Sequence, residues 1–185
     1  MKTSRFAYAV LASAFGLMPG GATSQEPTVQ NVRLTFHIIE ADGFEDTDPA
    51  IADIVAELRD VFRFSGYRRL DTSVLSATLA GDMRDGDGRV FTIVRQRTAL
   101  GEHGRFEIEA WVYETPDPSA VRVTVRLNDE DSAYMSSGGQ RLMPAVIDAS
   151  VTTRSGQTVV LGSGRTNVSG GALILAMNVQ LEHGN

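Results

Sequence analysis

Hydrophobic and polar positions alternate along most of this chain, most cleanly near its end. Leu173, Leu175, Met177, Val179 and Leu181 fall on one side of an extended segment, and Ala172, Ile174, Ala176, Asn178 and Gln180 on the other. Val121, Val123, Val125 and Leu127 alternate with Arg122, Thr124 and Arg126. Val32, Leu34, Phe36 and Ile38 alternate with Arg33, Thr35, His37 and Ile39. A period of two predicts strands with one face buried. Tyr67–Leu79, Arg89–Arg97 and Arg105–Glu114 read as further strands.

One stretch changes period. Ile51, Ile54, Val55, Leu58, Val61 and Phe62 recur every three or four residues, which predicts an amphipathic helix lying on a sheet. Asp48 and Pro49 supply its cap and first residue, and Gly66 is expected to end it in a left-handed conformation. Gly81–Gly88 and Thr115–Ser119 carry turn chemistry and predict antiparallel hairpins; Asp129–Met143 reads as a polar loop. The fold class expected is therefore α+β, mainly β, with about eight antiparallel strands and one amphipathic helix packed on a sheet.

The segment Pro144–Leu181 organises this reading. It comprises a strand, a tight turn at Arg154-Ser155-Gly156, a second strand, a glycine-rich tip over 162–171 and the long last strand. Val159, Val160 and Leu161 form an apolar run between Gly156 and Gly162, the pattern of a buried strand. Gly156 stands where a hairpin turn needs positive φ.

The N-terminus follows a different logic. Lys2 and Arg5 precede the uncharged apolar run Phe6–Met18, then Pro19-Gly20-Gly21 and the small residues Ala22-Thr23-Ser24. That order predicts a signal peptide over 1–24 and a single exported domain over 25–185. Its removal leaves 15 basic against 23 acidic residues, a net charge of −8. This acidic balance gives no reason to bind nucleic acid. With no cysteine, disulfides and thiolate metal sites are excluded.

Candidate chemistry is sparse. His37, His103 and His183 have no partner at metal-ligand spacing and read as three unrelated surface or edge histidines. No G-x-S-x-G elbow is present; Gly162-Ser163-Gly164 and Ser136-Ser137-Gly138-Gly139 read as loops. Asp82, Asp85 and Asp87, and the acids from Glu40 to Asp48, do not follow the calcium-loop spacing and read as solvated turns. The glycine-rich 162–171 stretch lacks the lysine of a phosphate loop. Neither catalytic residues nor a cofactor or metal are therefore assigned. Trp111 and Tyr113 fall on the face opposite Phe106, Ile108 and Val112, and read either as a contact surface or as packing beneath the helix.

The motif Gly156-Gln157-Thr158-Val159-Val160-Leu161-Gly162, preceded by the strand Ala149–Thr153, resembles the hairpin near the end of the secretin core domain. In that family an Asp-Gly-Gln-Thr-apolar-apolar-Leu-Gly-Gly sequence follows an alternating strand. Val32–Ala41 is similar to the strand opening the same core. Ser155 replaces the usual Asp and Ser163 the second Gly. The resemblance implies a non-catalytic protein of the periplasm or outer membrane. It would associate through strand edges with itself or with secretion or pilus envelope proteins. The alternative is a monomeric periplasmic module holding a small ligand between helix and sheet. A lipid-facing strand and a sandwich strand read alike at this length, so membrane association stays open at this point.

Overall fold

The computed structural model describes residues 30–43, 47–80, 83–165 and 171–183. The expected signal peptide lies outside them. Among the described residues, eight long strands form two four-stranded antiparallel sheets, with one short helix on the first. In chain order they are β1 (Gln30–Asp42), α1 (Ala52–Val61), β2 (Gly66–Leu79), β3 (Phe91–Ala99), β4 (Arg105–Glu114) and β5 (Ala120–Asp129). A two-residue ribbon follows, β6 (Tyr134–Met135) with β7 (Arg141–Leu142). Then come β8 (Ala145–Arg154), β9 (Thr158–Arg165) and β10 (Ala172–His183). The first sheet runs β2-β1-β10-β9 and the second β3-β4-β5-β8. The long strands thus meander around a sandwich, and β10 returns to pair with β1 from Gln30↔His183 to Ala41↔Ala172.

The alternation places the core. Val32, Leu34, Phe36 and Ile38 of β1 and Leu173, Leu175, Met177 and Val179 of β10 face inward. They meet Phe106, Ile108, Ala110 and Val112 of β4 and Val121, Val123, Val125 and Leu127 of β5. The opposite faces of β1 and β10 bear α1, where Ile39, Ala41, Ile174 and Ala176 pack with Ile51, Ile54, Val55, Leu58 and Tyr67. Ile39, expected on the solvent side of a half-buried strand, is therefore fully covered.

The helix ends earlier than its sequence suggests. A 3₁₀ turn over Pro49–Ile51 precedes it, with Asp48 Oδ1 accepting from the Ala50 N–H at 2.9 Å. Phe62 is already extended, Val61 is 72% exposed, and Gly66 opens β2 without positive φ. Aromatic anchoring supplies the reason. Phe64 lies 6.3 Å from both Phe62 and Tyr67, and Tyr67 Oη donates to the Phe62 carbonyl at 3.0 Å, satisfying a group the helix leaves free.

Two connections expected as hairpins instead cross between sheets. The 81–88 stretch carries the chain from β2 to β3, and the turn at 154–156 carries it from β8 to β9. Thr115–Ser119 does join a hairpin, β4 to β5. Gly156 has φ 82°, and its N–H donates to the Val179 carbonyl at 2.7 Å, so the corner is tied to β10. Val159, Val160 and Leu161 are only half-buried because β9 is an edge strand. Of the stretch expected as a glycine-rich tip, Gly162–Arg165 belong to β9; residues 166–170 lie outside the described ones. The 129–143 loop contains the β6–β7 ribbon, with Gly139 at φ 76°.

Gly164 shows why β9 carries glycines. A Cβ there would collide with Val146 Cγ1 and stand 3.1 Å from the Val146 carbonyl oxygen. Gly164→Ala is expected to lower stability by about 1–3 kcal/mol through overpacking. Gly86→Ala, in open space without positive φ, is expected to change it by less than about 0.5 kcal/mol. Urea denaturation of both variants checks the contrast.

Candidate contact surface and cleft

The helix covers the first sheet, whereas the outer face of the second is described without any element over it. Strand registry sorts its side chains into rows. Phe91, Tyr113, Arg122 and Thr152 form one; Ile93, Trp111, Thr124 and Ser150 the next; Arg95, Glu109, Arg126 and Asp148 the third. Trp111 and Tyr113 therefore lie on this face and not beneath the helix. Phe91 stacks on Tyr113 at 5.6 Å, and the guanidinium carbons of Arg122 and Arg126 lie 5.8 Å and 5.2 Å from the Tyr113 and Trp111 ring centres. Each arginine shields an aromatic face while keeping its charge in water. In the third row Arg95 Nε donates to Glu109 Oε1 at 2.6 Å, and Arg126 Nε to Asp148 Oδ2 at 2.9 Å.

This face runs into an open cleft of about 650 Å³ at one end of the sheet. The β4–β5 hairpin contributes Glu114, Thr115 and Asp117, and the strand ends contribute Arg89, Arg122, Thr152, Arg154 and Gln157. Asp117 Oδ1 accepts from Ser119 N–H at 2.9 Å and from Ser119 Oγ at 2.6 Å, and Arg154 Nη2 lies 3.5 Å from Asp117 Oδ2. The Ser119 bonds foremost, with Arg154 adding to them, hold the Asp117 carboxyl below the usual carboxylate range.

Of the motif residues, Gly156 and Gln157 form the corner and Thr158–Gly162 run along the edge of the first sheet. Only Gln157 reaches the cleft. Its Oε1 accepts from Arg154 N–H at 2.9 Å and from Thr153 Oγ1 at 3.3 Å.

A buried ionic cluster escaped the sequence reading. Glu40 is 4% exposed at its side chain and accepts from Arg68 Nη2 at 2.6 Å. His103 Nε2 stands 3.6 Å away, and that side chain is 3% exposed. His103 is thus neither a surface nor an edge histidine: the 3₁₀ turn Gly101–His103 tucks it against the end of β1. Glu40 and His103 are far apart in sequence, and no local pattern announces their meeting. His37 lies on the outer face of β1, 3.2 Å from Thr72 Oγ1. Partial burial, and after it the Arg69 charge, push its pKa below the ordinary value. The side chain of His183 lies outside the described ones.

The other candidates serve local structure. Asp85 Oδ1 accepts from the Asp87 and Arg89 N–H groups, Asp48 caps the turn before α1, and Ser136 Oγ accepts from Gln140 N–H. Asp82, Glu45 and Asp46 lie outside the described residues. Among the described residues no group of three or more His, Asp or Glu converges in a way that could hold a metal. Between helix and sheet, apolar side chains fill the contact. A groove of about 410 Å³ remains beside the helix start, lined by Thr35, His37, Asp53, Thr158, Asn178 and Gln180 among others.

Removing Glu40 leaves His103 buried without its acid. Glu40→Ala is expected to destabilise the fold by about 2–4 kcal/mol, less than a fully enclosed pair because Arg68 is half-exposed. Chemical denaturation measures it. His37 binds protons less readily folded than unfolded. Its contribution is therefore complete above the ordinary histidine pKa and is lost as pH falls through that value toward the folded one. The drop in melting temperature between about pH 7.5 and about pH 5.5 is expected to be smaller in His37→Gln than in the parent.

No family model, curated protein or solved structure matches the chain.

Proposed function

We propose that this protein is a non-catalytic, exported envelope module that assembles with a second copy of itself, using the outer face of the second sheet. The observation that carries this reading is the row Arg95, Glu109, Arg126, Asp148, whose charges run plus, minus, plus, minus across β3-β4-β5-β8. Reversing the row exchanges every sign. A two-fold axis along the strands, between β4 and β5, therefore sets Arg95 over the partner's Asp148 and Glu109 over the partner's Arg126. The same operation brings Tyr113 over the partner's Arg122. An axis across the strands instead opposes like charges within the row, so charge alone selects one arrangement. Half-exposed Trp111, Tyr113, Phe91 and Ile93 add the aromatic and apolar area from which contact energy comes.

Association through strand edges, expected from the secretin resemblance, has less behind it. Each edge strand of one sheet lies beside an edge strand of the other, β2 beside β3 and β8 beside β9. Partner strands would have to approach past that neighbour.

Light scattering coupled to size exclusion at low ionic strength tests the proposal. The parent is expected to run as a dimer, and Arg95→Asp and Asp148→Arg each as monomers, because either change places like charges in both copies of the contact. An equimolar mixture of the two variants is expected to regain the dimer, since each then meets the opposite sign. A monomeric parent, variants that dimerise like the parent, or a mixture that stays monomeric would sink it. Thermal melts establish that both variants fold.

A further inference from the structure

We infer that the cleft at the end of the second sheet binds a ligand through a carboxylate, carried either by the C-terminus of a peptide or by a small organic acid. Three guanidinium groups reach it from separate elements: Arg89 from the approach to β3, Arg122 from β5 and Arg154 from the end of β8. Their guanidinium groups present planar forks suited to an oxyanion. Two acids share the cleft, Glu114 and Asp117, so its balance is +1 on a chain whose net charge is −6.

The arginines are held in place without being used up. Arg122 Nε donates to Ser150 Oγ at 3.3 Å and its guanidinium rests on Tyr113, yet it forms no ion pair with any described residue. Among the described residues the Arg154 guanidinium has only the 3.5 Å approach to Asp117, whose other oxygen is taken by Ser119. Arg89 reaches Asp87 at 4.0 Å, at the limit of pairing. Gln157 is fixed through its carbonyl oxygen, which leaves its amide group a donor.

The site therefore offers an excess of positioned N–H donors and one net positive charge. A carboxylate's two oxygens match one planar fork, whereas a phosphate concentrates its charge on a single group beside Glu114 and Asp117. Glu114, unpaired among the described residues, accepts from an N–H next to the bound carboxylate, which a peptide C-terminus supplies. The volume falls in the range of small-ligand sites.

The cleft shares Arg122 and Thr152 with the first row of the outer face, whereas Arg154, paired with Ala120, lies one row beyond the three named, so Arg154→Gln tests the cleft apart from the pairing between copies. Titrations followed by amide NMR shifts use N-acetyl-diglycine, its C-terminal amide, succinate and inorganic phosphate as probes. N-acetyl-diglycine or succinate is expected to move the Thr115, Arg122 and Thr152 signals saturably, and the amide to leave them in place. Arg154→Gln and Arg122→Gln are each expected to weaken the acid by about tenfold or more. Tighter binding of the peptide acid assigns a peptide terminus, and tighter binding of succinate a small acid; both support the inference. It is overturned if acid and amide bind alike, if phosphate binds more tightly than either carboxylate, or if both folded variants keep the parental affinity. It is equally overturned if neither acid moves a signal up to about 10 mM, weaker than a millimolar site.

Discussion

The return of β10 to β1 is the contact on which the rest of this structure depends. The two strands pair along their whole length at the centre of the first sheet, joining the start of the described chain to its end. Each has two faces to bury. One face closes over the second sheet, and the other is covered at one end by α1. Without that pairing Ile39, Ile174 and Ala176 form no continuous floor, and the short helix has nothing to lie on. A helix of ten residues gains most of its stability from such packing and little from its own propensity.

The sandwich is closed differently at its sides. No backbone ladder joins β2 to β3 or β8 to β9. On one side Asp71 bridges the gap, accepting from Ser73 Oγ at 2.8 Å and from Thr98 Oγ1 at 3.0 Å. On the other, the close approach of β9 to β8 needs a glycine at 164, and Ser155 Oγ accepts from the Leu181 N–H at 2.9 Å. Ser155, which departs from the motif it resembles, is thus a stitch in the corner between the sheets.

Covering one sheet with a helix leaves the other to meet its surroundings directly. Its outer face combines ion-paired charges with aromatic rings capped by arginine, an arrangement that keeps apolar area small in water while leaving it ready for contact. The proposed pairing of copies and the proposed carboxylate site meet on this one sheet at Arg122 and Thr152. The buried Glu40–Arg68–His103 cluster lies elsewhere, at the end of β1, and fastens the β3–β4 turn to the first sheet.

Local pattern was enough to identify the eight long strands, the helix and the orientation of Trp111 and Tyr113, because side-chain alternation follows from backbone geometry alone. The positive φ of Gly156 was legible for the same reason: turn chemistry is a property of a few adjacent residues. What the chain did not disclose locally is which strands pair. A crossing between sheets and a hairpin use the same turn residues, so the corners at 81–88 and 154–156 read as hairpins until the packing separated them. The early end of α1 was set by Phe62, Phe64 and Tyr67 meeting in space, and the burial of His103 by its encounter with Glu40. Sequence by itself determined the faces of each element, since those are fixed by period. Only the tertiary structure decided what each face meets, because contacts between distant residues depend on how every other strand is placed.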